Sequence, residues 1–300
     1  MNKTKKWLIF ATSLVILGSV IFTAVMNAYK WDFEKLSTVK YLTKTYTVTE
    51  TFKDIKINNN TVDIAFTLSA DKNCKVVCEE EENVSHSVTV QDNMLSIDII
   101  DQRQWYQFIG ITAKTPKMTV YLPENEYNSL FIKTSTSDVE LAENFKFKDI
   151  NIATSTGDIL VQNTIAENIK LSVSTGRVVA NDVTCQNLTA NVSTGKTLLS
   201  NVSCDYFLSS GDTGDLKLKD LITKEKITIE RNTGDINFEN CDANELFITT
   251  DTGDVTGSLL SDKIFETKTD TGDIDVPNSI NGGICKITTN TGDIKINVVK

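Results

Sequence analysis

A dipeptide that returns every 19 or 20 residues constrains this 300-residue chain more than any other feature. Thr-Gly, usually followed by Asp, places glycines at Gly157, Gly176, Gly195, Gly214, Gly234, Gly253, Gly272 and Gly292, and a first copy carries Ser137 at the same point. The spacings are 20, 19, 19, 19, 20, 19, 19 and 20. A fixed period of this length is the mark of a solenoid in which each repeat forms one rung. Thr precedes the Gly position in all nine copies, and Ser, Asp or Asn precedes the Thr. This is turn chemistry: short polar side chains bond their own backbone, and Gly takes positive φ without steric cost.

The columns around the turn predict which side chains face inward. Seven residues before the Gly position stand Leu130, Ile150, Ile169, Leu188, Phe207, Ile227, Leu246, Phe265 and Cys285; five before it stand Ile132, Ile152, Leu171, Ala190, Ser209, Ile229, Ile248, Thr267 and Ile287. Two after it come Val139, Ile159, Val178, Thr197, Leu216, Ile236, Val255, Ile274 and Ile294. Period-two alternation on both sides of a turn means two short strands per rung, each with one face inward. Stacked rungs then give parallel sheets around a continuous apolar core. At about 4.8 Å per rung the repeats would extend roughly 40 Å. The fold class expected is therefore an all-β, β-helix-like parallel β-solenoid with rungs of 19–20 residues over 126–300.

Residues 41–125 are rich in strand-forming runs but lack the Thr-Gly turn, and they read as a β-rich part that caps the first rung. Ahead of them, Trp7 to Met26 is an uncharged run of twenty residues preceded by Lys3, Lys5 and Lys6. Twenty helical residues span about 30 Å, the thickness of a bilayer's hydrocarbon core. Trp7, Tyr29 and Trp31 sit where interfacial aromatics prefer to lie. The expected order is a cytoplasmic basic segment at 1–6, a single-pass transmembrane anchor at 7–26 and a juxtamembrane linker at 27–40. The lysine bias puts the bulk outside the cytoplasm. A cleaved secretory signal is the competing reading, but no small-x-small cleavage site stands out.

The entry segment Thr51-Phe52-Lys53-Asp54-Ile55-Lys56-Ile57, the strand end Val120-Tyr121-Leu122-Pro123 and the serial Ser-Thr-Gly-Asp and Asp-Thr-Gly-Asp turns resemble the bacterial putative adhesin domain family over roughly residues 45–300. That resemblance implies a β-repeat fold at the bacterial cell envelope and assigns no biochemical function. Arg177 and Lys196 replace the turn Asp in two copies, which departs from a uniform ladder.

Charge and residue usage narrow the function classes. With Lys3, Lys5, Lys6 and Lys30 set aside, 26 basic residues face all 40 acidic ones, a net of −14 for residues 31–300. That balance argues against nucleic acid as a partner, since phosphate contacts need clustered Lys and Arg. A lone His86 argues against most Ser-His, Cys-His and His-metal chemistry. Asp-Thr-Gly occurs three times, but as one variant of a repeated turn, so its aspartates stack side by side rather than face one another as an aspartic-protease pair must.

Three features stand as candidate sites. Asp212, Asp215, Asp235, Asp251, Asp254, Asp270, Asp273 and Asp293 line one edge of the last five rungs and could hold Ca²⁺ weakly; the bland reading is turn-forming aspartate with no ligand. Trp105, Tyr106, Phe108 and Ile109 form the densest aromatic segment outside the anchor and could touch a membrane or a partner, or else pack on the solenoid's end. Among six cysteines, Cys185 and Cys204 share a column in adjacent rungs, close enough to bridge if their Cβ vectors permit, Cys241 and Cys285 align with apolar columns, and free thiols are the default expectation. Glu79 to Glu82 read as a solvated turn.

No cofactor and no catalytic residue is expected. The reading that these observations favour is a non-enzymatic, extracytoplasmic binding or scaffold protein of the cell envelope, adhesin-like, with an envelope protein or a cell-wall glycan as partner. An accessory or sensor protein of an envelope-stress system acting through a membrane partner is the alternative, and a polysaccharide-active enzyme is a third. Because the sequence stops eight residues after Gly292, the last rung is also expected to be an open edge available for self-association.

Overall fold

The computed structural model describes residues 3–32, 37, 39–70, 72–105 and 114–299. It opens with helix α1 (Lys3–Ala28), apolar and long enough to cross a membrane and carrying no acidic residue in its first turn. Every element after it from Tyr41 to Val298 that forms part of the sheet framework is a β-strand. The first seven strands are β1 (Tyr41–Val48), β2 (Asp54–Asn58), β3 (Asp63–Leu68), β4 (Cys74–Glu81), β5 (Val84–Gln91), β6 (Met94–Asp101) and β7 (Lys117–Leu122). The repeat region supplies β8 (Glu126–Thr136), β9 (Val139–Leu141), β10 (Lys146–Thr156), β11 (Ile159–Ile165), β12 (Asn168–Thr184), β13 (Asn187–Thr213) and β14 (Leu216–Thr233). The chain ends with β15 (Ile236–Cys241), β16 (Glu245–Thr252), β17 (Val255–Leu259), β18 (Lys263–Thr271), β19 (Ile274–Asp275), β20 (Gly283–Thr291) and β21 (Ile294–Val298).

Parallel pairing in repeat register joins the rungs: Ile150 lies beside Leu130 and Ile169, Ile169 beside Leu188, Phe207 beside Ile227, and Ile227 beside Leu246. The inward columns are buried as the alternation predicts, from Leu130, Ile150 and Leu188 through Phe207, Ile227 and Leu246. At the turn the glycines adopt φ between +129° and +150° and stack one above another. A Cβ on Gly195 would lie 1.8 Å from the Gly176 carbonyl oxygen, and one on Gly214 1.7 Å from that of Gly195, so close approach as well as backbone sign demands glycine there. A second corner falls six residues later, where Asn163, Asp182, Asn201, Asp220 and Asn240 take φ of 47–54°. Asn and Asp tolerate this left-handed region better than other residues with a Cβ. Where Gly176 lies beside Gly195 and Arg177 beside Lys196 the pairing continues through the Thr-Gly turn, which is why β12 and β13 run on without a break rather than as two short strands.

Two expectations change. First, the parallel stack begins before residue 126. β2 pairs parallel with β8, and β3 with β9, so residues 54–68 form a rung of their own. β6 and β7 lie outside that rung in the same parallel sense. Asn60 occupies the corner that Thr-Gly fills later, its carbonyl accepting from the Ser135 and Thr136 amides. Among the described residues, antiparallel pairing is confined to β1 with β4, β4 with β7 and β5 with β6, and it covers this end.

Second, the rung that comes last in the sequence is not last in space. β20 and β21 are inserted between the β16/β17 rung and the β18/β19 rung: Ile287 lies beside both Ile248 and Thr267, and Ile294 beside both Val255 and Ile274. Pro277 follows β19, and Gly282 and Gly283 lead into β20. A Cβ on Gly282 would lie 1.8 Å from the Asp262 carbonyl oxygen, and one on Gly283 1.7 Å from that of Asn244. The Gly pair thus lets the returning chain slip between two rungs. The expected open edge at the Gly292 rung is covered on both sides, and the free edge belongs to the Gly272 rung.

Candidate functional site

The turn aspartates form a hydrogen-bonded ladder. Each carboxylate accepts the backbone N–H of the equivalent residue in the next rung: Asp138 N to Asp63 Oδ1 at 2.9 Å, Asp158 N to Asp138 at 2.8 Å, Asp254 N to Asp235 at 2.9 Å, Asp293 N to Asp254 at 2.8 Å and Asp273 N to Asp293 at 2.9 Å. Asp63, which carries no Thr-Gly, is its first member. The last three of these bonds run in spatial order, through 254, 293 and 273.

The two basic departures pair with neighbouring members of the same column: Arg177 bonds Asp158, and Lys196 Nζ lies 3.0 Å from Asp215 Oδ2. That hydrogen bond from Lys196 holds the Asp215 carboxyl below the usual carboxylate range. The Asp273 amide and then Lys295 do the same for Asp293. On the near side of the turn, Asp212 accepts from Asn232 and Asp251 from Asn290, both at 3.2 Å, while Asp270 pairs with Lys268 at 3.0 Å.

The eight carboxylates proposed from sequence as a weak Ca²⁺ edge therefore run in two files, three before the turn and five after it, most with an oxygen committed to a neighbouring rung. Among the described residues, the one group of three or more His, Cys, Asp or Glu ligand atoms within 4.8 Å is elsewhere, at Cys78, Glu80 and His86. Sequence reasoning missed that cluster. The Glu79–Glu82 run is not a solvated turn throughout: Glu79 to Glu81 lie on β4, whose alternation turns Glu80 inward to 2% exposure. Glu80 Oε1 accepts from Tyr46 Oη at 2.7 Å, from the His86 amide at 2.8 Å and from His86 Nδ1 at 3.0 Å. Lys44 Nζ sits 2.7 Å from Oε2 as an ion-pair partner, off the direction of a hydrogen bond.

Burial pushes the Glu80 carboxyl up, and the Lys44 ammonium with the hydrogen bonds from Tyr46 and His86 outweighs it, leaving it below its ordinary value. Burial and the same carboxylate push the Tyr46 phenol up to about 12, and burial raises the Cys78 thiol to about 12. A neutral thiol and a carboxylate already engaged by four donor groups make this a tie between β1, β4 and β5. A metal would have to displace Lys44.

Beside the cluster lies a hollow of about 270 Å³ lined by Tyr41, Val62, Val84, Ile99 and Pro116, with Arg103 and Lys114 at its sides. Arg103 is paired with Asp101 and Glu81, and Lys114 with Glu79. Trp105, at 77% exposure, projects from the segment that leads away from Arg103. Tyr106, Phe108 and Ile109 lie outside the described residues.

The outward face just before the turns holds a second feature that the turn pattern did not announce. Shallow polar hollows that share Asn191 and Ser193 follow one another across the rungs, lined by Lys133, Ser155, Ser172 and Ser174 at one end and by Ser210, Asp212, Glu230, Asn232 and Asp251 at the other. Rung-to-rung hydrogen bonds order these side chains, as where Ser210 Oγ donates to Asn191 Oδ1 at 2.8 Å. Beneath them Arg231 is buried, bonding the Val192 carbonyl, Ser209 Oγ and Thr197 Oγ1 across neighbouring rungs. It has room because its column neighbour is Gly211, where a Cβ would lie 1.9 Å from Arg231 Nη1. A Gly beside an Arg in a column otherwise of Thr and Val was the signal available in the sequence.

All six cysteines are buried and free; Cys185 and Cys204 share their column as expected, and the hydrogen bond between them together with burial raises the Cys185 thiol.

The family described as Toastrack DUF4097 matches residues 52–220 and again 218–300. No curated protein shows significant similarity to the chain. Among solved structures, a putative adhesin from Bacteroides fragilis superposes with a TM-score of 0.53 at 19% identity, covering 86% of this chain and 97% of its own. A putative adhesin from Parabacteroides distasonis gives 0.56 at 11% identity, covering 87% and 98%. A putative lipid binding protein from the same organism gives 0.51 at 14%, covering 86% and 97%. At these identities the likeness is one of fold.

Proposed function

Because this chain belongs to the Toastrack DUF4097 family, we propose that it is a non-enzymatic, extracytoplasmic binding or scaffold protein of the bacterial cell envelope, held to the membrane by α1 and presenting the solenoid as a rigid adhesin-like surface. The observation that carries this reading is the run of hydroxyl, amide and carboxylate side chains along the face before the turns, centred on Asn191 and Ser193. Side chains fixed at rung spacing lose little entropy when they bind, which suits them to an extended polar polymer such as a cell-wall glycan. The putative adhesins of like fold support the reading at the level of architecture.

Full-length protein in detergent, incubated with purified cell-wall polysaccharide and sedimented, tests it. Retention is expected, with Asn191→Trp and Ser193→Trp, which fill the groove, each reducing it roughly tenfold. A wild-type protein that stays in the supernatant, or groove variants retained as well as wild type, would overturn it. The exposed Trp105 favours a second reading, in which the cap end engages a membrane protein of an envelope-stress system. Trp105→Ala would then abolish crosslinking to that partner in intact cells while leaving glycan retention intact.

A further inference from the structure

The inserted rung leaves the far end of the solenoid unfinished. Among the described residues β18 pairs only with β20, and β19 only with β21, so their outer edges have no strand partner. The inward columns emerge at this end. Ile274 is 46% exposed although Val255 and Ile294 in its column are fully buried, and Phe265 is half-buried where Phe207 and Leu246 are sealed. The opposite end is closed by the antiparallel strands β1, β4 and β5. Among the described residues β1 and β5 are edge strands too, each with one partner, but the inward columns beneath them are sealed at Val76, Leu95 and Ile97, so exposed core meets exposed core only when a second copy presents its own open end, in a closed two-fold contact.

The charges on β18 select the register of such a contact. Its outward side chains run Ile264, Glu266, Lys268 and Asp270. Antiparallel pairing of the strand with itself about Thr267 overlaps all of Lys263–Thr271, keeps inward residues opposite inward ones, and sets Glu266 against Lys268 of the second copy, twice. A shift of the pairing centre by one residue, the smallest that preserves the faces, sets Glu266 against Glu266 or Lys268 against Lys268. Lys268, now 3.0 Å from Asp270 in its own chain, is at the surface and free to exchange partners.

We propose that the open end of the solenoid is a self-association surface, on which β18 pairs antiparallel with β18 of a second copy across a two-fold axis at Thr267. The contact would supply the missing backbone partners and cover Phe265, Thr267 and Ile274.

The test is sedimentation velocity of the full-length protein in detergent, with charge reversals at solvent-facing positions that leave the rung intact. A dimer is expected. Glu266→Lys and Lys268→Glu should each raise its dissociation constant roughly tenfold, and the double reversal should restore it, because only the pairing about Thr267 exchanges these two charges. Mixing Glu266→Cys chains with Lys268→Cys chains of a different tag should give a mixed disulfide under mild oxidation. A monomer at the highest soluble concentration overturns the proposal. So does a dimer unaffected by either reversal, as one formed through α1 or the glycan-facing groove would be.

Discussion

A carboxylate two atoms from the main chain does more in this protein than shape its own turn. Asp254 accepts the Asp293 amide and donates its own N–H to Asp235, so it links three rungs. Replacing it with Asn keeps an acceptor oxygen at the same reach, whereas Ala leaves the Asp293 amide without its partner. Asp254→Ala is expected to cost about 1 kcal/mol and Asp254→Asn less than half of that, measured by denaturant unfolding. Gly214→Ala is harsher. It puts a Cβ at positive φ and within 1.7 Å of a backbone oxygen that cannot swing away, so a loss of about 3 kcal/mol or more is expected in the same assay. The turn itself was legible in the sequence, since Thr-Gly-Asp names its own geometry. The ladder was not, because its bonds join residues 19, 20, 39 or 75 positions apart and depend on which rung lies above which. Glu80 escaped for a related reason: four consecutive glutamates look solvated until a strand's alternation turns one of them inward.

At the scale of the rung, burial rather than residue type decides what a column position contributes. Phe207 and Phe265 occupy the same column, the first sealed between rungs and the second at the open end. Phe207→Ala is expected to cost about 3–5 kcal/mol, and Phe265→Ala less than half as much, by thermal or denaturant melts of the two variants. The inward columns were readable because alternation with period two repeats nine times and noise averages out. The rungs of residues 54–68 and of β6 with β7 were hidden because they share the parallel stacking without the turn motif. In the first of them the corner uses Asn60 in place of Thr-Gly. The Asn and Asp corner six residues after the first five of these glycines was visible in the letters, yet a short polar residue inside a strand pattern does not announce a left-handed bend.

For the molecule as a whole, pH acts through carboxyls that folding stabilises in the charged form. Lys196 lowers Asp215, Arg103 lowers Asp101, and the Asp273 amide with Lys295 lowers Asp293. Groups of this kind add stability that is complete above their unfolded value near 4 and is lost as pH falls through the lower folded value. Asp63, raised by burial, opposes the trend. The midpoint of urea unfolding is expected to hold between pH 5 and 7 and to fall below about pH 4. What the sequence could not disclose at this scale was the order of the stack, since repeats that look alike carry no address, and only Pro277 with Gly282 and Gly283 hinted at a return. That return has a consequence for how the protein is made. Rungs that stack in the order of synthesis can close one after another as the chain emerges, but here the β18/β19 rung must wait beside an empty slot until residues 283–298 exist to wedge into it. The final stretch is a keystone, and a ribosome that stalls before it would release an arch that cannot shut.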